Sequence, residues 1–227
     1  MYIPTVAVYS VNFGNYRDEL KNGIDFINKD NRIDYFFFTD NKNLKSNKWN
    51  IIITDLENSS QYMDKYRNTS KLLKFKTNKL LNNYDVLIYI ASKGLSRINF
   101  SYSKIINLII RNKKQFYFIK HLCRNTSQEE LLFTTKNKRK NKYIENKENG
   151  LKFYNKIKNL KYSSYLPDLF CVIRLNSKLN NNVWSRIYDL LIKNGLKRDQ
   201  NIIQHALYYF NYESKITYFK IKDISIN

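Results

Sequence analysis

Apolar residues in this chain fall into two alternating patterns. One is a short run rich in β-branched and aromatic side chains, seen at residues 6–11 (VAVYSV), 35–39 (YFFFT), 49–54 (WNIIIT), 86–90 (VLIYI), 115–119 (QFYFI), 170–174 (FCVIR) and 216–221 (ITYFKI). Runs of this length bounded by polar turns predict strands. The other pattern repeats every three or four residues, as at 18–28, where Leu20, Ile24, Phe26 and Ile27 recur, and at 105–111, 183–193 and 201–210. It predicts helices. In 60–81 the period carries Met63, Tyr66, Leu73 and Leu80 but is interrupted near Asn68-Thr69, which predicts two helices or one with a kink. Strands alternating with helices predict an α/β mixed sheet flanked by helices, not a bundle or a sandwich.

One segment breaks the pattern. Residues 134–161 (TTKNKRKNKYIENKENGLKFYNKIKNLK) are dense in charge and nearly free of large aliphatic residues until Leu151, so they predict an exposed loop with fraying helix, or a basic arm. No internal repeat and no Pro/Gly/Ser linker divides the chain, and 227 residues suit one domain spanning 1–227, large enough to bury roughly 70% of its unfolded surface.

Composition narrows the partners less than it first suggests. The 40 Lys and Arg against 19 Asp and Glu give a formal charge of +21, which favours anionic ligands. The abundance of Asn, Lys, Ile, Tyr and Phe beside few Gly, Pro and Ala is also what A+T-rich codons produce, so part of the basicity is compositional. A basic nucleic-acid-binding protein is a further alternative on charge alone, but the aromatic and basic strand signature of RNA-binding modules is missing, and nucleic acid is not the expected partner. Cys123 and Cys171 are too few for a disulfide framework or a four-thiolate zinc site, and no run approaches the ~18 apolar residues of a membrane span. A cytoplasmic protein without a membrane span is expected.

In open α/β sheets ligands sit beyond the carboxyl ends of strands, so the loops there carry the candidate chemistry. Four segments, VAVYSVNFGNYRDEL, FFFTDNKNLKSNKWNI, SKLLKFKTNKLLNNYDVLIYI and GLKRDQNIIQHALYY, resemble in order and spacing the glycosyltransferase-like family of plant mucilage-related and turgor-regulation-defect proteins. FIKHLCRNTSQEE resembles that family's strand followed by a His, an Arg and paired acids, and FCVIRLNS its later strand with an Arg. The resemblance spans about residues 6–209. It implies a GT-A-like, Rossmann-like fold and a glycosyltransferase that moves a sugar from a nucleotide-sugar donor to an acceptor, glycan or protein, that the sequence does not name.

The departure lies after the strand at 86–90, where the family reads aliphatic-Asp-Gly and this chain reads Ala91-Ser92-Lys93. Asp85 cannot replace the missing acid, because it sits at the other end of the strand, about 20 Å away at 3.3 Å per residue. A hard divalent cation is held by oxygen ligands, usually including a carboxylate, so no obligatory metal cofactor is expected. The charge that develops on a diphosphate leaving group must then be met by positioned cations, and Lys93 with Arg97 in support stands at the right corner. The alternatives are a pair of solvated loop side chains or a catalytically inactive donor-binding or scaffold protein that has kept the fold.

Arg67, Lys71 and Lys74 share a helical face and are candidates for the donor phosphates, or form a solvated face. Tyr9, Asn12 and Phe13 precede the turn at Gly14 and are candidates for base and ribose, or core. Asp40 is a further ribose candidate, or an Asx turn. Arg198-Asp199-Gln200 opens an apolar helical pattern: Asp199 reads as a helix N-cap, and the corner also resembles the one that retaining GT-A enzymes place beside the donor sugar, with Arg198 a candidate for donor binding, Asp199 on sugar hydroxyls or acting as base and Gln200 near the anomeric centre. His121 reads as a general base or phosphate ligand, or as a structural hydrogen-bonder. Glu129 and Glu130 read as acceptor-binding groups or as helix-start acids.

Overall fold

The computed structural model describes residues 2–14, 24–25, 29–58, 63–139 and 142–226, the side chains of 94, 96–97, 138–139 and 142–143 excepted. The helix expected at 18–28 falls almost wholly outside the described residues. Seven strands form one sheet in the order β3-β2-β1-β4-β8-β5-β9. Strands β1 (Val6–Asn12), β2 (Ile33–Thr39), β3 (Asn50–Ile53) and β4 (Val86–Ile90) are parallel. β8 (Pro167–Leu175) runs antiparallel to both β4 and β5 (Phe116–Lys120), and β9 (Ile216–Tyr218) is parallel to β5. A two-stranded ribbon, β6 (Lys138–Arg139) with β7 (Lys142–Tyr143), stands apart.

β1 and β4 are buried along their whole length, as central strands covered on both faces must be. On one face lie α1 (Lys65–Phe75), α3 (Ser127–Lys136), α4 (Lys147–Ile157), α5 (Lys178–Lys193) and α6 (Ile203–Tyr209), packed around Trp184, whose ring lies 4.8 Å from Phe75 and 5.6 Å from Phe116. On the other lies α2 (Tyr102–Asn112), which buries Tyr102, Ile105 and Leu108. Each of α1, α3, α4 and α5 starts at a polar cap: the side chains of Asp64, Thr126, Asn146 and Ser177 each accept a first-turn backbone N–H.

Two expectations are corrected. The described part of 134–161 is not simply an exposed loop, because α4 buries Gly150, Phe153 and Ile157, and Glu145 before it is also buried. Phe153 and Ile157 sit four residues apart, enough for one apolar stripe even among lysines. The helical stretch at 60–81 does not break at Asn68-Thr69. Those side chains are buried inside α1 and bonded outward, Thr69 accepting from Glu57 N and Asn68 from the Tyr188 hydroxyl, and the chain leaves the helix only after Phe75. Polar residues interrupted the apolar period without interrupting the helix.

At Gly14 the backbone takes φ +64°, and a Cβ added there would lie 2.7 Å from the Tyr66 ring. Gly14→Ala should therefore destabilise the fold by roughly 1–3 kcal/mol through backbone strain and overpacking. Urea denaturation measures it, and an unchanged midpoint would show that the turn and Tyr66 yield freely.

Candidate functional site

The strand order reverses between β1 and β4, and at such a switch point the two following loops diverge and leave a crevice. Beyond β1, the Asn12 amide donates to the Ser92 hydroxyl beyond β4 at 3.2 Å. Asp40 after β2 accepts the Gly14 N–H with both carboxylate oxygens, at 3.0 and 3.2 Å, so it clamps the β1 exit turn and does not form an Asx turn. Ala91 donates its N–H to Phe170 O at 2.8 Å, and exposed Lys93 places its ammonium 5.6 Å from the Phe170 ring centre. Arg97 ends the 3-10 turn Ser92–Arg97. An open cavity of about 570 Å³ is lined by Leu56, Glu57 and Asn58 after β3 and by Asp64 and Lys65 at the start of α1.

Tyr9 and Phe13 are core residues, each 1% exposed. The Tyr9 hydroxyl donates to Lys74 O at 2.9 Å and its ring meets Tyr89 edge-on, so the ring offers no surface to a base. Alternation along the strand explains this: Tyr9, Val11 and Phe13 share the face under α1. Of these candidates only Asn12 reaches the loop after β4, and it too is buried, at 2% exposed.

Because β8 is antiparallel, its start lies at the same edge as the end of β4, and the Asp199 corner is fastened to that start. Gln200 donates to Pro167 O and accepts from Leu169 N at 3.4 Å. Asp199 lies in a 3-10 turn, Asp199–Asn201, and caps no helix: α6 begins at Ile203 without a side-chain cap. Its carboxylate instead meets Lys71 at 2.5 Å and Lys74 at 2.7 Å, and Lys74 also donates to Leu169 O at 3.2 Å and sits 4.5 Å from the centre of the Tyr89 ring. The shared face expected for α1 is thus present in Lys71 and Lys74, with half-buried Arg67 one turn back.

Burial pushes the Asp199 pKa up, but the charges and hydrogen bonds of Lys71 and Lys74 outweigh it and hold the carboxyl far below its usual range. Burial is also the main influence on Lys71. Its pKa falls to about 8 because desolvation and the neighbouring charges of Lys74 and Arg198 outweigh the attraction of Asp199. The corner is therefore an ionised carboxylate beside an amine that titrates within a unit or so of neutrality.

Glu145 fixes this corner from behind and was not legible in the sequence. Its carboxylate accepts the Lys197 and Arg198 N–H groups at 2.7 and 3.0 Å and the Asn201 amide at 2.8 Å. It sits in the charged stretch whose composition predicted exposure, and no local signal marks an acid that serves a loop more than fifty residues away.

His121 follows β5 and is partly structural. Its Nδ1 accepts the N–H groups of Cys123 and Arg124 at 3.2 and 3.1 Å, leaving Nε2 4.0 Å from Glu130. Burial lowers its pKa, opposed by the charge of Glu130 and reinforced by that of Arg124. Glu129 helps start α3 by accepting Asn125 N at 2.8 Å, whereas Glu130 is fully buried and pairs with Arg124 and with Arg198, the latter at 3.2 Å. Among the described residues no three His, Cys, Asp or Glu side chains gather as metal ligands would, and no helix is long and apolar enough to cross a membrane.

The architecture is that of solved glycosyltransferases. The apo structure of the WbbM bifunctional glycosyltransferase superposes with a TM-score of 0.54 at 9% identity over 96% of this chain, and the chain spans 39% of that protein's length. Mouse xyloside xylosyltransferase 1 in its apo form superposes with a TM-score of 0.52 at 7% identity, over 95% of this chain and 85% of that one. The chain thus has a GT-A-like glycosyltransferase fold, a seven-stranded mixed sheet flanked by helices. No protein-family model and no curated protein matches it, so the plant mucilage and turgor family rests on the quoted segments alone.

Proposed function

We propose that this protein is a glycosyltransferase that takes a nucleotide-sugar donor across the β1–β4 switch point and transfers its sugar beside Asp199, without an obligatory divalent metal. The observation that carries this reading is the Lys71–Asp199–Lys74 cluster at the carboxyl edge, one strand from the Ala91 corner, with Asp199 and Lys74 buried and Lys71 half-buried. Buried charge of this kind is costly to maintain for stability alone. It suits a site where a diphosphate draws Lys71 toward itself and frees Asp199 to orient sugar hydroxyls or accept a proton, while Gln200 supports the anomeric centre. Lys93 and Arg97 meet the leaving-group charge from the β4 side, and Arg67 extends the cationic face. Asn12 and the backbone at Phe13 approach the ribose, with Asp40 holding their turn. A donor-binding protein without turnover is the second reading, favoured by Ala91, which leaves the strand end without an acid.

A thermal-shift screen of nucleotide sugars, with and without chelator, tests both readings. A ligand at 100 times its Kd stabilises the folded state by about 2.7 kcal/mol. The expected result is a shift that persists with chelator and weakens as pH rises through about 8, where Lys71 loses the proton that pairs with phosphate. Donor binding with no turnover on any acceptor leaves the second reading. No shift with any donor at millimolar concentration rejects both.

A further inference from the structure

The Glu130 cluster lies outside the donor corner. Along the carboxyl edge the order is Asn12 after β1, Ala91 and Ser92 after β4, the Asp199 corner on the start of β8, and then His121 and Arg124 after β5. β5 stands two strands from β4, about 10 Å at the usual spacing. A donor seated at the switch point with its sugar at Asp199 therefore leaves the Glu130 cluster on the far side of the reacting carbon, where an acceptor must approach.

The cluster is built for an anion. Glu130 is 0% exposed, yet the side chains of its two guanidinium partners are 21% exposed at Arg124 and 39% at Arg198. One carboxylate against two guanidinium groups leaves a positive charge in excess, turned toward solvent. Arg198 Nε is buried with no hydrogen-bond partner, a donor that the protein itself does not satisfy. The Arg124 fork is held by the Phe133 ring 4.3 Å from its guanidinium carbon, and that of Arg198 by its bond to Glu130 at 3.2 Å, while the Arg198 backbone is tied to Glu145. Fixed guanidinium forks recognise carboxylates and phosphates bidentately. Arg198 also acts on Lys71 through its charge, so this cradle adjoins the transfer corner.

We infer that Arg124 and Arg198, braced on Glu130, form a subsite for an anionic group, a carboxylate or a phosphate, on the acceptor sugar. This rests on the glycosyltransferase reading for the word acceptor, but the binding itself can be measured without a donor. If the pairs serve only to tie α3 to the Arg198 corner, their removal changes stability and not ligand preference.

Ligand-detected NMR titration of the full chain with methyl β-glucuronide, glucose 6-phosphate, methyl β-glucoside and inorganic phosphate separates these cases. One or both sugar anions should bind about tenfold more tightly than the neutral glucoside, the size of one charge-assisted pair, and more tightly than inorganic phosphate. The better of the two identifies the anion. The triple variant Arg124→Gln/Glu130→Gln/Arg198→Gln, which removes both cations and leaves no buried carboxylate unpaired, should lose that preference, and Arg198→Lys, which keeps charge without the fork, should retain only part of it. Equal binding of glucuronide, phosphate ester and glucoside overturns the inference, as does a preference that survives in the folded triple variant or inorganic phosphate binding as tightly as the sugar anions. Failure of the nucleotide-sugar screen beside a clear anion preference removes the transferase reading and leaves the anion site.

Discussion

Asp199→Ala should lower the stability of the protein by about 3–5 kcal/mol and abolish sugar transfer together. Removing one member of a buried ionic cluster strands the others, and here Lys71 and Lys74 would both lose their only carboxylate on the described part of the chain. Urea denaturation reads the stability change. A loss below about 1 kcal/mol would show that the lysines reach water at little cost and that the cluster is a surface pair. Acid unfolding gives an independent check. The Asp199 carboxyl is held below its ordinary value of 3.8, so its contribution is present above that pH and is lost as pH falls below it. Lys71 has the opposite dependence: depressed from 10.5 to about 8, it makes the unfolded chain bind more protons between those values, so stability from this group rises with pH in that window. The Asp199→Ala variant should lack the steep acid limb of the parent. An unchanged acid limb would show that other carboxylates govern it.

Lys93→Ala should cost about 10²-fold in turnover while a chelator leaves the unmodified protein active, the reverse of what a metal-dependent transferase shows. Lys93 is exposed and interacts with the Phe170 ring at 5.6 Å, so its removal should leave stability nearly unchanged, and a loss of rate can be assigned to charge at the diphosphate. Ala91 is tied through its N–H to Phe170 O just after β4. Ala91→Asp should create or increase dependence on Mg²⁺ or Mn²⁺ if the remaining oxygen ligands come from the donor. Donor cleavage that requires Mn²⁺ in the unmodified protein, or turnover untouched by Lys93→Ala, would reject lysine in place of metal and support the reading of Ala91 as the mark of a degenerate site.

The seven strands were legible because a short β-branched and aromatic run bounded by polar turns states its own conformation, and each predicted run overlaps an observed strand. The helices at 105–111 and 183–193 were legible in place but shorter than α2 and α5, and the one at 201–210 was longer than α6, since helix ends depend on caps such as Ser177 and not on the apolar period. The Lys71 and Lys74 face followed from spacing alone. The role of Asp199 did not: local sequence offered a helix cap, and its actual partner Lys74 stands 125 residues away.

What the sequence determined by itself was the alternation of elements, the Ala91 corner without an acid, and the presence of an Asp-Gln pair before an apolar helix. The tertiary structure alone decided that Tyr9 and Phe13 are core, that the lysine-rich stretch at 134–161 supplies a helix with one buried stripe and the Glu145 brace, and that Arg124 and Arg198 share one carboxylate. The physical reason is the range over which each signal acts. Apolar periodicity and turn chemistry report which face of a segment turns inward, a property of neighbouring residues. The partner of a charged group is set by which strand ends the sheet order brings to one edge, and in this protein an antiparallel β8 inserted between β4 and β5 brings α1, α3 and the Asp199 turn to the same place.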